Sequence, residues 1–375
     1  MVDLELHVVS FSIPFPADYG GVIDVFYKIK ALHSIGTKIH LHCFQYDREK
    51  AAELEQYCQS VHYYSRNLSP WNLLKTGSFI IESRKNQQLL TTLKKDELPI
   101  LLEGLHCCSL LDEPSFRSKK IFVRSHNLEH DYYRHLAQVE KSFFKRWYFQ
   151  RESKKLALAE ARYYPKATQI FGISEKDTQY LKEKYGKGMT LPAFHQCDHL
   201  TDAQQTEPFA FYHGNLSVGE NNEAALFLVN EVFNDLDYPL VIAGNAPSVE
   251  LRKACQQHEQ VTLKSDLTSE EILTQIARAQ INVLPTFQNT GIKLKLIAAL
   301  FQGKHCLVNS PMVKGTGLAE ACTIADSATA FKIAIQQLAK TEFSEAMKVK
   351  RAQLLLPFDN KENAQQLKAT ILQLI

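Results

Sequence analysis

Along the chain, short apolar runs alternate with longer stretches whose apolar positions recur at three- and four-residue spacing. The short runs, bounded by turn residues, predict buried strands, and the three-and-four spacing predicts amphipathic helices. Strands are predicted over residues 4–10, 38–44, 100–102, 120–124 and 169–172, then over 209–213, 239–243, 261–264, 281–284 and 305–308. Helical patterns, such as those over 224–233 and 270–279, lie between most of them. Alternation of this kind builds parallel sheets covered by helices, an α/β architecture. Such sheets leave ligand sites at the carboxyl ends of their strands, so the residues that follow each run are where chemistry is expected.

The pattern breaks once. Residues 193–208 are polar, aperiodic and edged by Pro192 and Pro208. They read as a linker between a first Rossmann-like domain, 1–192, and a second, 209–356. After Pro357, residues 357–375 carry a closing helical pattern.

Composition narrows the picture. At 375 residues and 45% hydrophobic content, two domains of ordinary size fit better than one. The net charge of +2 sets up no field for nucleic acid. Eight cysteines form no C-x-x-C pair and lie mostly in apolar runs, which fits a reducing cytoplasm. The first residues lack the basic and apolar regions of a signal peptide, and no window is apolar enough to span a membrane. A cytoplasmic protein is expected, soluble or peripheral at the inner face of the membrane. The stretch 141–155 bears on the second option, with six basic and five aromatic residues against one acid. Such a helix can either pack its aromatics inward or lie in a bilayer interface.

The most informative chemistry follows the strand at 281–284. A loop ending in Thr290 and Gly291 leads into a helix with Lys293 and Lys295 in its first turn. A helix start offers unpaired N–H groups and the positive end of a dipole, and two lysines add full charge, so a phosphate or diphosphate suits it. Three weaker glycine signals share the strand-loop-helix context. These are Gly20 and Gly21 after the first strand, Gly214 with Asn215 after the strand at 209–213, and Gly244 after that at 239–243. His106 and His126 end first-domain strands, the latter among Arg124, Asn127 and Glu129. No G-x-G-x-x-G fingerprint for NAD occurs, and no zinc-ligand spacing or hydrolase elbow. Asp235-Leu-Asp237 has the D-x-D form of metal-bound donor sites but precedes a strand and reads as a solvated turn. No cofactor and no metal are expected.

The segment from Gly291 to Gly303 resembles the donor-binding segment of family-four retaining glycosyltransferases, G-x-x-x-K-x-x-E-A-M-A-x-G. Gly291, Lys295, Ala299 and Gly303 match, with Leu300 for the methionine. Ala298 stands where the family has the glutamate that holds the donor ribose, and Thr290 where many members have an earlier one. The P-x-x-x-G-G element at Gly20 and Gly21, the V-I-x-G element at Gly244 and the G-x-x-G-L-like segment with Thr316 and Gly317 follow the family's order along nearly the whole chain. The resemblance implies a GT-B fold, two Rossmann-like domains facing a central cleft, with the closing helix crossing back to the first. It also implies metal-independent transfer of a hexose from a nucleotide-diphosphate sugar to a glycan or lipid-linked acceptor, with retention. In that reading His126 faces the transferred sugar, His106 is a second sugar contact, and Lys293 and Lys295 neutralise the leaving diphosphate. Thr290, Gly291, Thr316, Gly317, Gly214, Asn215, Gly244, Gly20 and Gly21 line the donor. Two other readings stay open, a nucleotide-sugar epimerase on this fold and an inactive sugar- or nucleotide-binding scaffold.

Overall fold

The computed structural model describes residues 3–140, 142–201, 206–287 and 293–375. The chain divides into two compact units, residues 3–194 with 358–375 and residues 195–287 with 293–357. In unit 1, seven strands are all parallel: β1 (Glu5–Ser10), β2 (Lys38–Gln45), β3 (Ser60–Ser65), β4 (Ile100–Glu103), β5 (Ile121–Ser125), β6 (Gln169–Gly172) and β7 (Met189–Thr190), in the order β3-β2-β1-β4-β5-β6-β7. Unit 2 has six: β8 (Glu207–His213), β9 (Leu240–Ala243), β10 (Val261–Lys264), β11 (Ala279–Leu284), β12 (His305–Val308) and β13 (Thr323–Ile324), in the order β10-β9-β8-β11-β12-β13. Strands β4, β5 and β12 are buried along their whole length, as their mainly apolar sequences lead one to expect. Strand order reverses between β1 and β4 in unit 1 and between β8 and β11 in unit 2, and a sheet of this type opens a crevice at such a reversal.

Three strands fall outside the sequence prediction. β3 is a half-buried strand at the sheet edge with the sequence SVHYYS, and β7 and β13 are two residues each. The polar stretch 193–208 is held in its first part and runs into β8 at Glu207. Phe194 is buried in unit 1, while the His195 ring packs at 4.7 Å on Phe301 and the Thr201 N–H donates to the Phe301 carbonyl at 2.9 Å in unit 2. The closing helix, Asn360–Leu374, belongs to unit 1. Its Ala364, Leu367 and Ile371, at three- and four-residue spacing, complete that unit's core. Lys368 Nζ donates to the Ile35 carbonyl at 3.1 Å, where helix Gly20–Ser34 ends and its dipole favours a cation.

One face of β1, β2 and β3 carries two chains of side-chain hydrogen bonds. In the first, Asp96 meets His7 Nε2 at 3.1 Å, His7 Nδ1 meets His42 Nε2 at 2.9 Å, and His42 Nδ1 meets the Tyr64 hydroxyl at 2.9 Å. A carboxylate only accepts, so His7 Nε2 carries a proton and its Nδ1 accepts. His42 Nε2 therefore donates, and the Tyr64 O–H donates to His42 Nδ1. The second chain repeats the logic. Glu5 accepts from His40 Nε2 at 2.8 Å, His40 Nδ1 accepts from Ser60 Oγ at 2.8 Å, and Ser60 Oγ accepts from His62 Nε2 at 3.1 Å. With both His7 and His42 protonated, two donors would face each other across their 2.9 Å contact.

Burial lowers the His7 pKa below its usual value, although Asp96 works to raise it. Burial, with His7, His62 and His40 adding repulsion, holds His42 well below the ordinary imidazole range. A histidine with a depressed folded pKa contributes its stability in full above the unfolded value of about 6.5 and loses it as pH falls below that. The buried carboxyl of Glu129, which burial raises to about 8, titrates in the opposite sense, so the ladder is read as a difference between variants. His42→Gln should lower the thermal midpoint at pH 7.5 by several degrees and lose less than the wild type on going to pH 5.5. Equal pH dependence of the two proteins would show that the ladder does not couple stability to pH.

Candidate functional site

In unit 1 the ends of β1, β4 and β5 hold a buried network of charges. Asp24, in helix Gly20–Ser34, accepts from Arg124 Nε at 3.1 Å and Nη2 at 2.9 Å, and from Lys28 Nζ at 3.0 Å. Its Oδ1 also accepts the Phe194 N–H at 2.8 Å. Lys28 donates to Glu103, at the end of β4, at 2.9 Å. His126 Nε2 meets the same Glu103 oxygen at 2.9 Å, and its Nδ1 lies 3.5 Å from Asp24. Arg124 further donates to the carbonyls of Leu191 and Pro192. All five side chains are buried. Burial would raise the Asp24 carboxyl, but the Arg124 guanidinium and the Lys28 ammonium hold it far below the usual carboxylate range. Glu103 is lowered by Lys28 and His126 against the same burial.

Among the described residues, Asp24, Glu103 and His126 are the trio whose ligand atoms come close enough to share a cation. Lys28 Nζ already bridges the two carboxylates, so a metal would compete with an ammonium that is hydrogen-bonded to both.

The sequence-predicted residues of this unit gather around Phe11. Its ring centroid lies 5.2 Å from that of His106 and 5.5 Å from that of His126. Gly21 makes room for it, since a Cβ there would stand 2.8 Å from Phe11 Cζ. Gly20 is the first residue of the helix. The two histidines differ. His126 is walled in, with its Nε2 on Glu103 and Nδ1 buried without a hydrogen bond. His106 follows Gly104, whose φ of +78° turns the chain after β4, and it is partly exposed, although its Nδ1 too is buried without a hydrogen bond. Burial, then the nearby Arg84 charge, holds His106 well below the usual range, so its imidazole is neutral. Glu129, at the start of helix Glu129–Val139, is pushed up to about 8 by burial and then by the Glu160 charge, so it holds its proton at neutral pH. Strongly perturbed groups of this kind gather at functional sites as well as in structural networks.

In unit 2 the ends of β8 and β11 bring together residues that the sequence separates. Lys295, in the first turn of helix Leu294–Gln302, donates to Asn221 Oδ1 at 2.6 Å and stands 5.4 Å from the centroid of the Tyr212 ring. Asn221 Nδ2 in turn donates to the Asn215 carbonyl at 2.9 Å, and the Tyr212 hydroxyl to the Asn221 carbonyl at 2.9 Å. Asn215 Oδ1 takes the Ser217 N–H and hydroxyl, closing the turn after Gly214. Glu220, beside Asn221, accepts from the Thr286 hydroxyl, and Thr286 is locked to Asn309 by two hydrogen bonds of 3.0 and 2.7 Å. Burial pushes Lys295 down to about 8, with Glu220 raising it and Lys293 lowering it. Lys293, which caps the same helix, is lowered by burial against the pull of Glu220. His213 is driven down to about 3 by burial and the Lys295 charge. Two desolvated ammonium groups beside a helix start set up a positive potential that one carboxylate only partly offsets.

Gly244 serves the chain itself here, because a Cβ would stand 1.9 Å from the Gly214 carbonyl oxygen. Thr316 and Gly317 follow β12, where the Thr316 hydroxyl donates to the Val313 carbonyl and accepts the Leu318 N–H, and Gly317 takes a φ of +73°. These hydrogen bonds stay within that turn. Thr290 and Gly291 lie outside the described residues. Asp235 and Asp237 are exposed before β9, with Asp235 paired to Lys332. Asp24, Lys28 and Glu103, and in unit 2 Tyr212, Glu220 and Asn221, were not legible as site residues.

No family model matches the chain. A Klebsiella pneumoniae protein described as an uncharacterized 44.6 kDa protein in the cps region is 26% identical over 334 residues, 84% of each chain. Among solved structures, the lipopolysaccharide outer core galactosyltransferase WaaB, in its apo form, superposes with a TM-score of 0.61 at 12% identity, over 97% of this chain and 100% of its own. The pneumococcal O-GlcNAc transferase GtfA, in complex with UDP and GlcNAc, gives 0.66 at 12% identity, over 100% and 99%. Anabaena HepE, in complex with UDP and glucose, gives 0.64 at 10% identity, over 97% and 98%. The fold is GT-B, built of two Rossmann-like units with parallel sheets.

Two outcomes follow from this geometry. Affinity for inorganic diphosphate, measured by calorimetry, should fall as pH rises from 7 to 9, because Lys295 loses its charge near pH 8 and an anion needs it protonated. Lys295→Arg should flatten that profile, since a guanidinium stays charged throughout. Gly244→Ala should destabilise unit 2 by about 1–3 kcal/mol or more in chemical denaturation, the range for overpacking a fixed site. A variant as stable as the wild type would mean that the Gly214 turn moves freely.

Proposed function

We propose that the protein transfers a hexose from a nucleotide-diphosphate sugar to a glycan or lipid-linked acceptor. The observation that carries this reading is the pairing of Lys293 and Lys295 at the start of helix Leu294–Gln302, with Lys295 held against Asn221 and the face of Tyr212. Breaking a glycosidic bond to a diphosphate leaves negative charge on the departing oxygens. Fixed cations and helix N–H groups stabilise that charge best in a desolvated site. The reading is supported by the UDP and sugar that the similar GtfA and HepE structures hold, and by the cps region in which the Klebsiella relative is described.

Within this reading the diphosphate lies across Thr290, Gly291, Lys293 and Lys295, with Gly214 and Asn215 flanking it, and the lysines supply the charge that a metal gives elsewhere. Retention at the anomeric carbon, with the diphosphate assisting deprotonation of the acceptor, is the mechanism proposed. His106 contacts the sugar directly through the Nε2 of a neutral imidazole, since its Nδ1 is buried. His126, bound to Glu103, orients the strand ends on which the sugar rests.

The test is a panel of UDP-, GDP- and other nucleotide sugars in calorimetry, followed by nucleotide release and product analysis with saccharide and lipid-linked acceptors. One donor should bind, and turnover should survive EDTA. Lys295→Ala should weaken that donor at least tenfold, as loss of a charge-assisted hydrogen bond of roughly 1.5–3 kcal/mol implies. His106→Ala should cut turnover while melting temperature and nucleotide affinity stay near wild type. His126→Ala should lower both turnover and melting temperature, because Glu103 loses a buried partner. Nucleotide release that needs no acceptor would favour an epimerase, and a panel with no binder would defeat the proposal.

A further inference from the structure

Helix Phe143–Tyr163 has an unusual outer face. Its inner face, Glu152, Ser153, Lys155, Leu156, Ala159, Glu160 and Tyr163, is buried in unit 1. A helix seated this way normally turns polar residues to water. Here Phe143 is 74% exposed, Phe144 81%, Trp147 54% and Leu158 72%. Positions 143, 147, 151, 154 and 158 recur at three- and four-residue spacing and so share one stripe, about 22 Å long at the helical rise. The stripe alternates apolar and basic groups, since Arg151 and Lys154 lie on it and are exposed, and Lys145 and Arg146 are exposed at its start.

Charge on this face has one sign. The acids between positions 142 and 160 are Glu152 and Glu160, and both are turned inward. Glu152 accepts from the Ser78 hydroxyl at 2.7 Å and the Phe79 N–H at 2.9 Å and pairs with Lys155, while Glu160 pairs with His130. The aromatics do not satisfy one another inward. Phe143 and Phe144 meet edge to face at 5.9 Å, and the Arg151 guanidinium lies 5.4 Å from the centroid of the exposed Trp147 ring. Arg146 donates to the Glu140 carbonyl at 2.9 Å, which steadies the first turn. Large apolar rings on a face whose free charges are all positive match the boundary of an anionic bilayer. Rings enter at the level of the acyl ends, and lysine and arginine stay among the phosphates.

We propose that the exposed face of helix Phe143–Tyr163 docks unit 1 on an anionic lipid bilayer, with the helix lying in the plane of the surface. The inference extends the partner side of the transferase reading but rests on this helix alone. A protein that catalysed some other reaction could bind membranes this way, and a transferase could fail to.

The test is flotation of the full chain with vesicles of phosphatidylcholine alone and vesicles containing one part in three phosphatidylglycerol, at low and high salt. Binding is expected to the phosphatidylglycerol vesicles only, and to weaken with salt. A Phe143→Ser, Phe144→Ser, Trp147→Ser variant should lose at least tenfold in vesicle affinity while its melting temperature is kept. Arg151→Glu with Lys154→Glu should lose the preference for anionic vesicles. No flotation of the wild type, equal binding to both vesicle types, or a triple variant that floats normally would each overturn the proposal. So would a lipid-independent dimer that the triple variant dissolves, which would make the face a contact with a second copy. Donor affinity, read separately by calorimetry, should not change in either variant.

Discussion

The carboxylate of Asp24 is the point on which unit 1 depends. It is buried, and burying one charge alone is prohibitively costly. Asp24 escapes that cost by meeting two cations and one backbone N–H at once. Those partners come from β5, from the helix after β1, and from the segment by which the chain leaves the unit. Lys28 then carries the network to Glu103 on β4, and Glu103 to His126 after β5. Two carboxylates and two fixed cations thus offset one another across the strand ends, with His126 hydrogen-bonded to Glu103. Substituting any one of the four charged members would strand an uncompensated charge in the interior, so buried networks of this kind fix geometry more surely than they add stability.

That network also sets apart the two histidines that follow β4 and β5. His126 is spent inside it, whereas His106 stands partly outside on the Phe11 ring. Sequence order put the two histidines in comparable places, each just after a strand. Only the pairing of Glu103 with Lys28 and His126, which links residues 75 and 23 positions apart, separates their surroundings.

Much of the fold was legible because the central strands are covered on both faces and read as unbroken apolar runs. β3 was not, because an edge strand packs one face and the histidine and tyrosines in SVHYYS look polar. β7 and β13 are too short to show a period. In the site, Lys293 and Lys295 could be found because the helix start and the charges lie within a few residues. Glu220 and Asn221 could not, since their meeting with β11 and its helix depends on β8 pairing β11 across some 70 positions. One signal was present for the unit 1 network. Arg124 interrupts IFVRS, a run otherwise fit for a fully buried strand, and a charge there demands a partner.

The closing helix has a consequence for the order in which the protein can be built. Ala364, Leu367 and Ile371 are core residues of unit 1, yet the whole of unit 2 is encoded between them and the rest of that unit. A ribosome therefore releases the parts of unit 2 before it supplies the last wall of unit 1. During synthesis the apolar groove that awaits this helix, beside helix Gly20–Ser34, stays open to water while the second unit emerges. The first-made half of the molecule is thus the last to be finished, and its nascent form is the one most in need of protection from aggregation.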